Sequence, residues 1–111
     1  MQTTISLNEN RTFKRIYAKG NSIANNLLVI YFIANGLNIN RLGITVNKKI
    51  GKAVARNRVR RLIKESYRLK ESTIKEGYDI IFVARVRSRE ASYREVSGAM
   101  HNLLKRVDLI K

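Results

Sequence analysis

The sequence contains no cysteine and no proline, and only 8 Asp and Glu stand against 23 Lys and Arg. The lack of cysteine excludes disulfides and thiolate metal sites and points to a reducing compartment. The lack of proline leaves no marked linker, and no internal repeat or low-complexity tract divides the chain. Its 111 residues suit one small domain, residues 1–111. Long hydrophobic runs are missing as well. The longest, Leu27 to Ala34, has eight residues, where a membrane span needs about 18 or more. The opening stretch, MQTTISLNENRTFKR, has no continuous apolar core, so no secretory signal is expected. There is one histidine, His101, in an amphipathic stretch where an ordinary helix-surface role suffices. No His/Cys/carboxylate cluster has metal-ligand spacing, and neither a P-loop nor GxGxxG is present. Catalysis by the chain's own side chains is therefore not expected.

What is present is apolar patterning and positive charge. Apolar residues make up 44% and fall in periodic runs, which argues for a folded chain. The formal net charge is +15 and the pI about 10.8. Such self-repulsion works against the modest core of a small domain, and a polyanionic partner would relieve it. Nucleic acid is the first inference and an anionic membrane surface the second. The charge is also uneven. Met1 to Lys64 holds 13 basic residues and one acid, Glu9, whereas Glu65 to Lys111 holds 10 basic residues and seven acids. An ordinary solvated surface mixes signs, as the second half does.

Periodicity predicts an α+β chain of visible order α-β-β-α-β-α. Ser6 and Glu9 form a capping-box pattern for a first helix with Phe13, Ile16 and Tyr17 on one face and Gly20 as its stop. LLVIYFIA, Leu27 to Ala34, is rich in β-formers and is followed by Asn35-Gly36. Arg41 to Asn47 alternates and is expected to be its hairpin partner. A long helix is predicted over Lys52 to Lys70, with Ala55, Val59, Leu62, Ile63, Ser66 and Leu69 on its apolar face. YDIIFVARV, Tyr78 to Val86, reads as a strand covered on both faces. Ser92 and Glu95 open a last helix with Val96, Met100, Leu103 and Val107 inward.

Two groups of residues carry chemistry. The first is KKIGKAVARNRVRRLIK, Lys48 to Lys64, which contains no acid. Asn57, Arg61, Lys64 and Arg68 line the polar face of the long helix, where arginine forks suit phosphate oxygens and asparagine can reach base or sugar edges. Arg56 and Arg58 lie about 200° apart on an ideal helix, so one flat contact cannot use both equally. The second group is aromatic: Phe13 and Tyr17 on the first helix, and Tyr31 in mid-strand. Core packing and a stacking surface for single-stranded bases both fit these. A structural RNA-binding protein, such as a small ribosomal component, fits the charge. A helix-turn-helix DNA binder does not fit the strand that precedes the basic helix.

TVNKKIGKAVARNRVRRLIKESY, Thr45 to Tyr67, strongly resembles the protein subunit of bacterial ribonuclease P. The resemblance rests on a lysine pair (Lys48, Lys49) followed by Gly51, Ala53, Val54, Arg56, Asn57, Arg58 and Arg61. FKRIYAKG and YDIIFVAR match the family's first helix and last strand, so most of the chain is covered. The resemblance implies an α-β sandwich of order α-β-β-β-α-β-α, whose four-stranded sheet contains a left-handed βαβ crossover, against the general right-handed rule. The extra short strand would lie in Asn21 to Asn26. It implies a bacterial, cytoplasmic ribonucleoprotein whose RNA subunit, with RNA-bound Mg²⁺, removes the 5′ leader of precursor tRNA. No membrane partner is implied. Lys48, Lys49, Lys52, Arg56, Asn57, Arg58, Arg61 and Lys64 would face the catalytic RNA. Phe13, Tyr17, Tyr31, Asn47 and Ala84 would line a leader cleft between the first helix and the sheet. Relatives often have a basic lead-in before the first helix, whereas MQTTISLNEN contains neither Lys nor Arg.

Overall fold

The computed structural model describes residues 4–111. In chain order the elements are β1 (Thr4–Ser6), α1 (Asn10–Lys19), β2 (Asn21–Ala24), β3 (Leu28–Ala34), β4 (Asn40–Thr45), α2 (Ala53–Lys70), β5 (Tyr78–Ala84) and α3 (Tyr93–Arg106). Short 3₁₀ turns occupy Lys48–Ile50, Glu71–Thr73 and Val86–Glu90. The strands form one sheet in the order β1-β4-β5-β3-β2. β3 pairs antiparallel with β2 and β5, and β4 pairs parallel with β5 and β1. This is the α+β sandwich expected, with β2 where the extra strand was required and with β1 as a fifth strand.

β4 is not the hairpin partner of β3, because β5 lies between them. The Asn35-Gly36 turn does form, with Gly36 at φ 73° and the Asn35 side chain accepting from the Leu37 N–H at 2.8 Å. It turns the chain past the start of β5, and alternation within β4 carries no information about its neighbour. β5 has apolar residues on both faces and takes the centre, where both are covered. On one face Ile80, Phe82 and Ala84 pack with Val59, Ile63 and Tyr67 of α2 and Val96, Met100 and Leu103 of α3. On the other, Ile81 packs with Ile16 of α1 and Leu7, joined by Phe13, Tyr31, Ile33 and Val83.

Two local readings are corrected. Ser6 does not cap α1: it ends β1, whose pairing continues into Leu7 N–H to Leu42 C=O (2.8 Å), and Glu9 holds the N-cap position without a side-chain bond. Leu69 is 58% exposed, while Tyr67 is fully buried. The buried face of α2 is centred near Ile63 and Ser66, turned away from Leu69, and the Tyr67 hydroxyl meets Thr4 Oγ1 at 2.9 Å. Burial pushes that phenol up from the ordinary tyrosine value. The Ser92–Glu95 capping box of α3 forms as predicted, with arms of 3.2 and 2.9 Å.

Candidate RNA-binding surfaces

The basic segment runs from the turn after β4 along the exposed side of α2. Lys48 and Lys49 are exposed on the first 3₁₀ turn, which Asn47 caps by accepting the Lys49 N–H at 3.0 Å. Lys52 is the exposed N-cap residue of α2. Asn57, Arg61 and Lys64 are exposed beyond it and line a shallow concavity of about 530 Å³ together with Val54, Arg58 and Arg60. The ion pairs among the described residues are made by cations outside Lys48 to Lys64. The first acid on the helix, Glu65, is engaged by Arg68 at 2.5 Å, and that bond holds its carboxyl below the ordinary glutamate value. The helix thus presents a cationic face that none of these ion pairs neutralises.

Two arginines depart from the sequence reading. The Arg58 guanidinium donates to the Arg89 carbonyl at 3.2 Å and the Ala91 carbonyl at 2.9 Å. It therefore ties α2 to the Val86–Glu90 turn and is only partly available to a ligand. Arg56, on a different side of the helix, is half-buried. Arg60, which no sequence pattern singles out, donates to Asn57 Oδ1 at 3.1 Å. It lines both the concavity on α2 and a second depression beside α1, so it links the two surfaces.

That second depression, of about 430 Å³, is bordered by Phe13, Lys14, Tyr17, Thr45, Val46 and Arg60. The Phe13 ring lies directly on the β4 backbone, since a Cβ at Gly43 would come within 2.6 Å of its Cζ. Phe13 and Tyr17 have ring centroids 6.2 Å apart, and Tyr17 meets Tyr31 edge-on at 4.8 Å. The Tyr17 and Thr45 hydroxyls are 2.7 Å apart, and Tyr17 remains 37% exposed. The aromatics are thus half core and half platform: one side rests on the sheet and the other faces solvent.

Phe13, Tyr17 and Tyr31 come together, but Asn47 and Ala84 do not join them. The Asn47 side-chain oxygen caps the 3₁₀ turn and the residue does not border the depression, and Ala84 is 3% exposed in the core facing α2 and α3. Side chains alternate along a strand, so Asp79, Ile81 and Val83 are the β5 residues on the α1 side. Asp79 is fully buried there. Its carboxylate accepts two bonds from Arg41 (2.7 and 2.6 Å), one from Asn35 (3.1 Å) and one from Arg15 of α1 (3.4 Å), pinning α1 to the sheet. The bond to Asp79 raises the Arg41 guanidinium above its ordinary value. Thr45 and Arg60 were legible only in part: Thr45 lies on the polar face of an alternating strand, whereas Arg60 carried no separate signal. Among the described residues no group of three or more His, Asp or Glu side chains could hold a metal, and no helix is long and apolar enough to cross a membrane.

These features agree with comparisons to known proteins. The ribonuclease P family model matches residues 1–108. The ribonuclease P protein component of Alkaliphilus oremlandii is 51% identical over 110 residues, covering 99% of this chain and 96% of that one. The Staphylococcus aureus RNase P protein superposes with a TM-score of 0.88 at 34% identity, covering 96% and 97% of the two chains. The Thermotoga maritima RNase P protein gives 0.84 at 34% identity, covering 91% and 96%. With its cationic helix, its aromatic depression and a fold shared along nearly its whole length, the chain belongs to the ribonuclease P protein family.

Proposed function

We propose that this chain is the accessory protein subunit of a bacterial, cytoplasmic ribonuclease P, which removes the 5′ leader from precursor tRNA. The hydrolysis would belong to the RNA subunit and its bound Mg²⁺. The protein's part is binding. Lys48, Lys49, Lys52, Arg56, Asn57, Arg61 and Lys64 would engage the catalytic RNA through phosphate and sugar contacts, the cations among them displacing condensed counterions. Arg58 would contribute there mainly by fixing the helix, given its two bonds to loop carbonyls. Phe13, Tyr17 and Tyr31 would hold the leader by stacking, which suits a strand of variable sequence because every base has a π-face.

The observation that carries this reading is the adjacency of two unlike surfaces: an unneutralised cationic helix face and a half-exposed aromatic platform, joined at Arg60. A structural RNA-binding protein needs only the first. The test is reconstitution with the cognate catalytic RNA at low Mg²⁺. Faster cleavage of precursor tRNA than by the RNA alone is expected; equal rates would refute the reading.

A further inference from the structure

α3 lies beside α2 on the face of the sheet turned away from the aromatic platform. Its exposed side carries a second basic row. Arg94, Gly98, His101 and Lys105 follow one another at i, i+4, i+7 and i+11, so at about 100° per residue they fall within about 60° of one another. All four are exposed, whereas Val96, Met100, Leu103 and Leu104 are buried on the other side of the helix. The row is turned toward α2: Ser97, one turn before His101, meets the Lys70 amine at the end of α2. From Arg94 to Lys105 it runs about 16 Å along the helix axis.

Among the described residues the side chains of Arg94, His101 and Lys105 make no hydrogen bond or ion pair. Acids on and next to α3 are engaged elsewhere: the Glu95 carboxylate accepts the Ser92 N–H at 2.9 Å, Asp108 lies 3.3 Å from Lys75, and Glu90 lies 3.7 Å from Arg89. Gly98 is the member that packing does not account for. Glycine is the poorest helix former after proline, and a Cβ at this position would meet nothing within 4 Å. It leaves a strip of bare helix backbone between Arg94 and Lys105, against which a ribose-phosphate ridge can lie. The arginine fork and the lysine ammonium then reach phosphate oxygens, and the imidazole N–H a phosphate or a 2′-hydroxyl. No apolar side chain stands in the row, whereas protein interfaces have apolar cores and membrane-lying helices an apolar face. The chemistry therefore favours RNA over a protein or a lipid surface.

We infer that the face of α3 bearing Arg94, Gly98, His101 and Lys105 docks a ribose-phosphate ridge of the catalytic RNA, a contact separate from the one on the Lys48–Lys64 segment. The inference rests on the reading that α2 engages that RNA. It commits to the catalytic RNA because α3 shares a side of the sheet with α2, while the leader platform lies on the other side with α1.

The full chain is titrated with the cognate catalytic RNA over a series of salt concentrations, as wild type, as the double variant Arg94→Ala/Lys105→Ala and as Gly98→Gln, and the thermal unfolding of each protein is measured. The double variant should bind about tenfold more weakly, with a salt slope shallower by about two charges. Gly98→Gln should unfold about 2–5 °C above wild type, because glutamine is the better helix former and meets open space. It should nevertheless bind the RNA about threefold or more weakly, since its side chain stands where the ridge would lie. A damaged fold cannot give higher stability together with weaker binding. Wild-type affinity in either protein, or an unchanged slope in the double variant, would overturn the inference. So would a loss seen only when the assembled holoenzyme binds precursor tRNA, which would give the face to the substrate. Wild-type protein that does not bind the catalytic RNA would refute the underlying reading instead, a failure visible without any variant.

Discussion

Gly43→Ala tests how the aromatic platform is seated. A Cβ at this position would lie 2.6 and 2.7 Å from Phe13 Cζ and Cε1, and 3.3 Å from Ile81 Cγ1. Carbon atoms pack at about 3.5–4.0 Å, so the ring must retreat by about 1 Å. The sheet blocks it below, so the shift is outward, together with α1. Overpacking of this kind costs about 1–3 kcal/mol, and the lower entropy of the unfolded alanine chain returns about 0.4–1 kcal/mol. A net loss of about 1–2 kcal/mol is expected, which is about 5–10 °C in Tm for a chain of this size. Urea or thermal unfolding measures it directly. The displaced ring should also weaken the leader's contribution to precursor tRNA affinity while leaving assembly with the RNA subunit unchanged. Phe13→Leu removes the colliding atoms, so the double variant should recover part of the stability, a coupling of about 0.5–3 kcal/mol. Gly43→Ala as stable as wild type, with leader affinity intact, would refute the seating of Phe13 on bare backbone.

Asp79→Ala should cost about 3 kcal/mol in urea unfolding, because it strands Arg41 and frees Arg15 of α1. Arg61→Ala should leave unfolding unchanged and make the salt dependence of catalytic-RNA binding shallower by about one charge, whereas Arg58→Ala should lower stability by about 1 kcal/mol through its two lost carbonyl bonds. Tyr67 gives a pH signature. Burial raises its phenol above the ordinary value of 10.0, so the folded state keeps a proton that the unfolded chain gives up, and the stability this supplies declines as pH rises past that value. The denaturation midpoint of wild type should therefore fall more steeply above that pH than that of Tyr67→Phe.

The elements that were legible in the sequence are those whose period declares a face: α2, α3, β3 and β4 all appear within a residue or two of their predicted bounds. What was not legible depends on partners distant in sequence. β1 is three residues long, too short for any alternation to stand out. The neighbour of β4 is set by where β5 finds cover for both faces. The same doubly apolar run conceals which β5 residues face α1: Ala84, which the resemblance put in the cleft, is on the opposite side, and the adjacent Val83, of the other parity, faces α1. Leu69 and Tyr67 show the same limit on α2, where a stripe drawn from hydrophobicity alone ran to one side of the face that the sheet covers. Arg58 looked like its neighbours in the motif, and only the fold brings the Arg89 and Ala91 carbonyls within its reach. The cationic face of α2 was legible because the absence of acids is itself a local pattern.

The central claim is that one protein holds two RNAs on two surfaces, the catalytic RNA on α2 and the leader on the aromatic platform. It is tested most directly by the affinities of precursor tRNA and mature tRNA for the catalytic RNA, measured with and without this protein at fixed salt. The account predicts that the protein tightens binding of the precursor far more than that of the mature tRNA, and that replacing Phe13 and Tyr17 with Leu removes most of the difference. Equal tightening of both, or a difference that survives the double replacement, would contradict it.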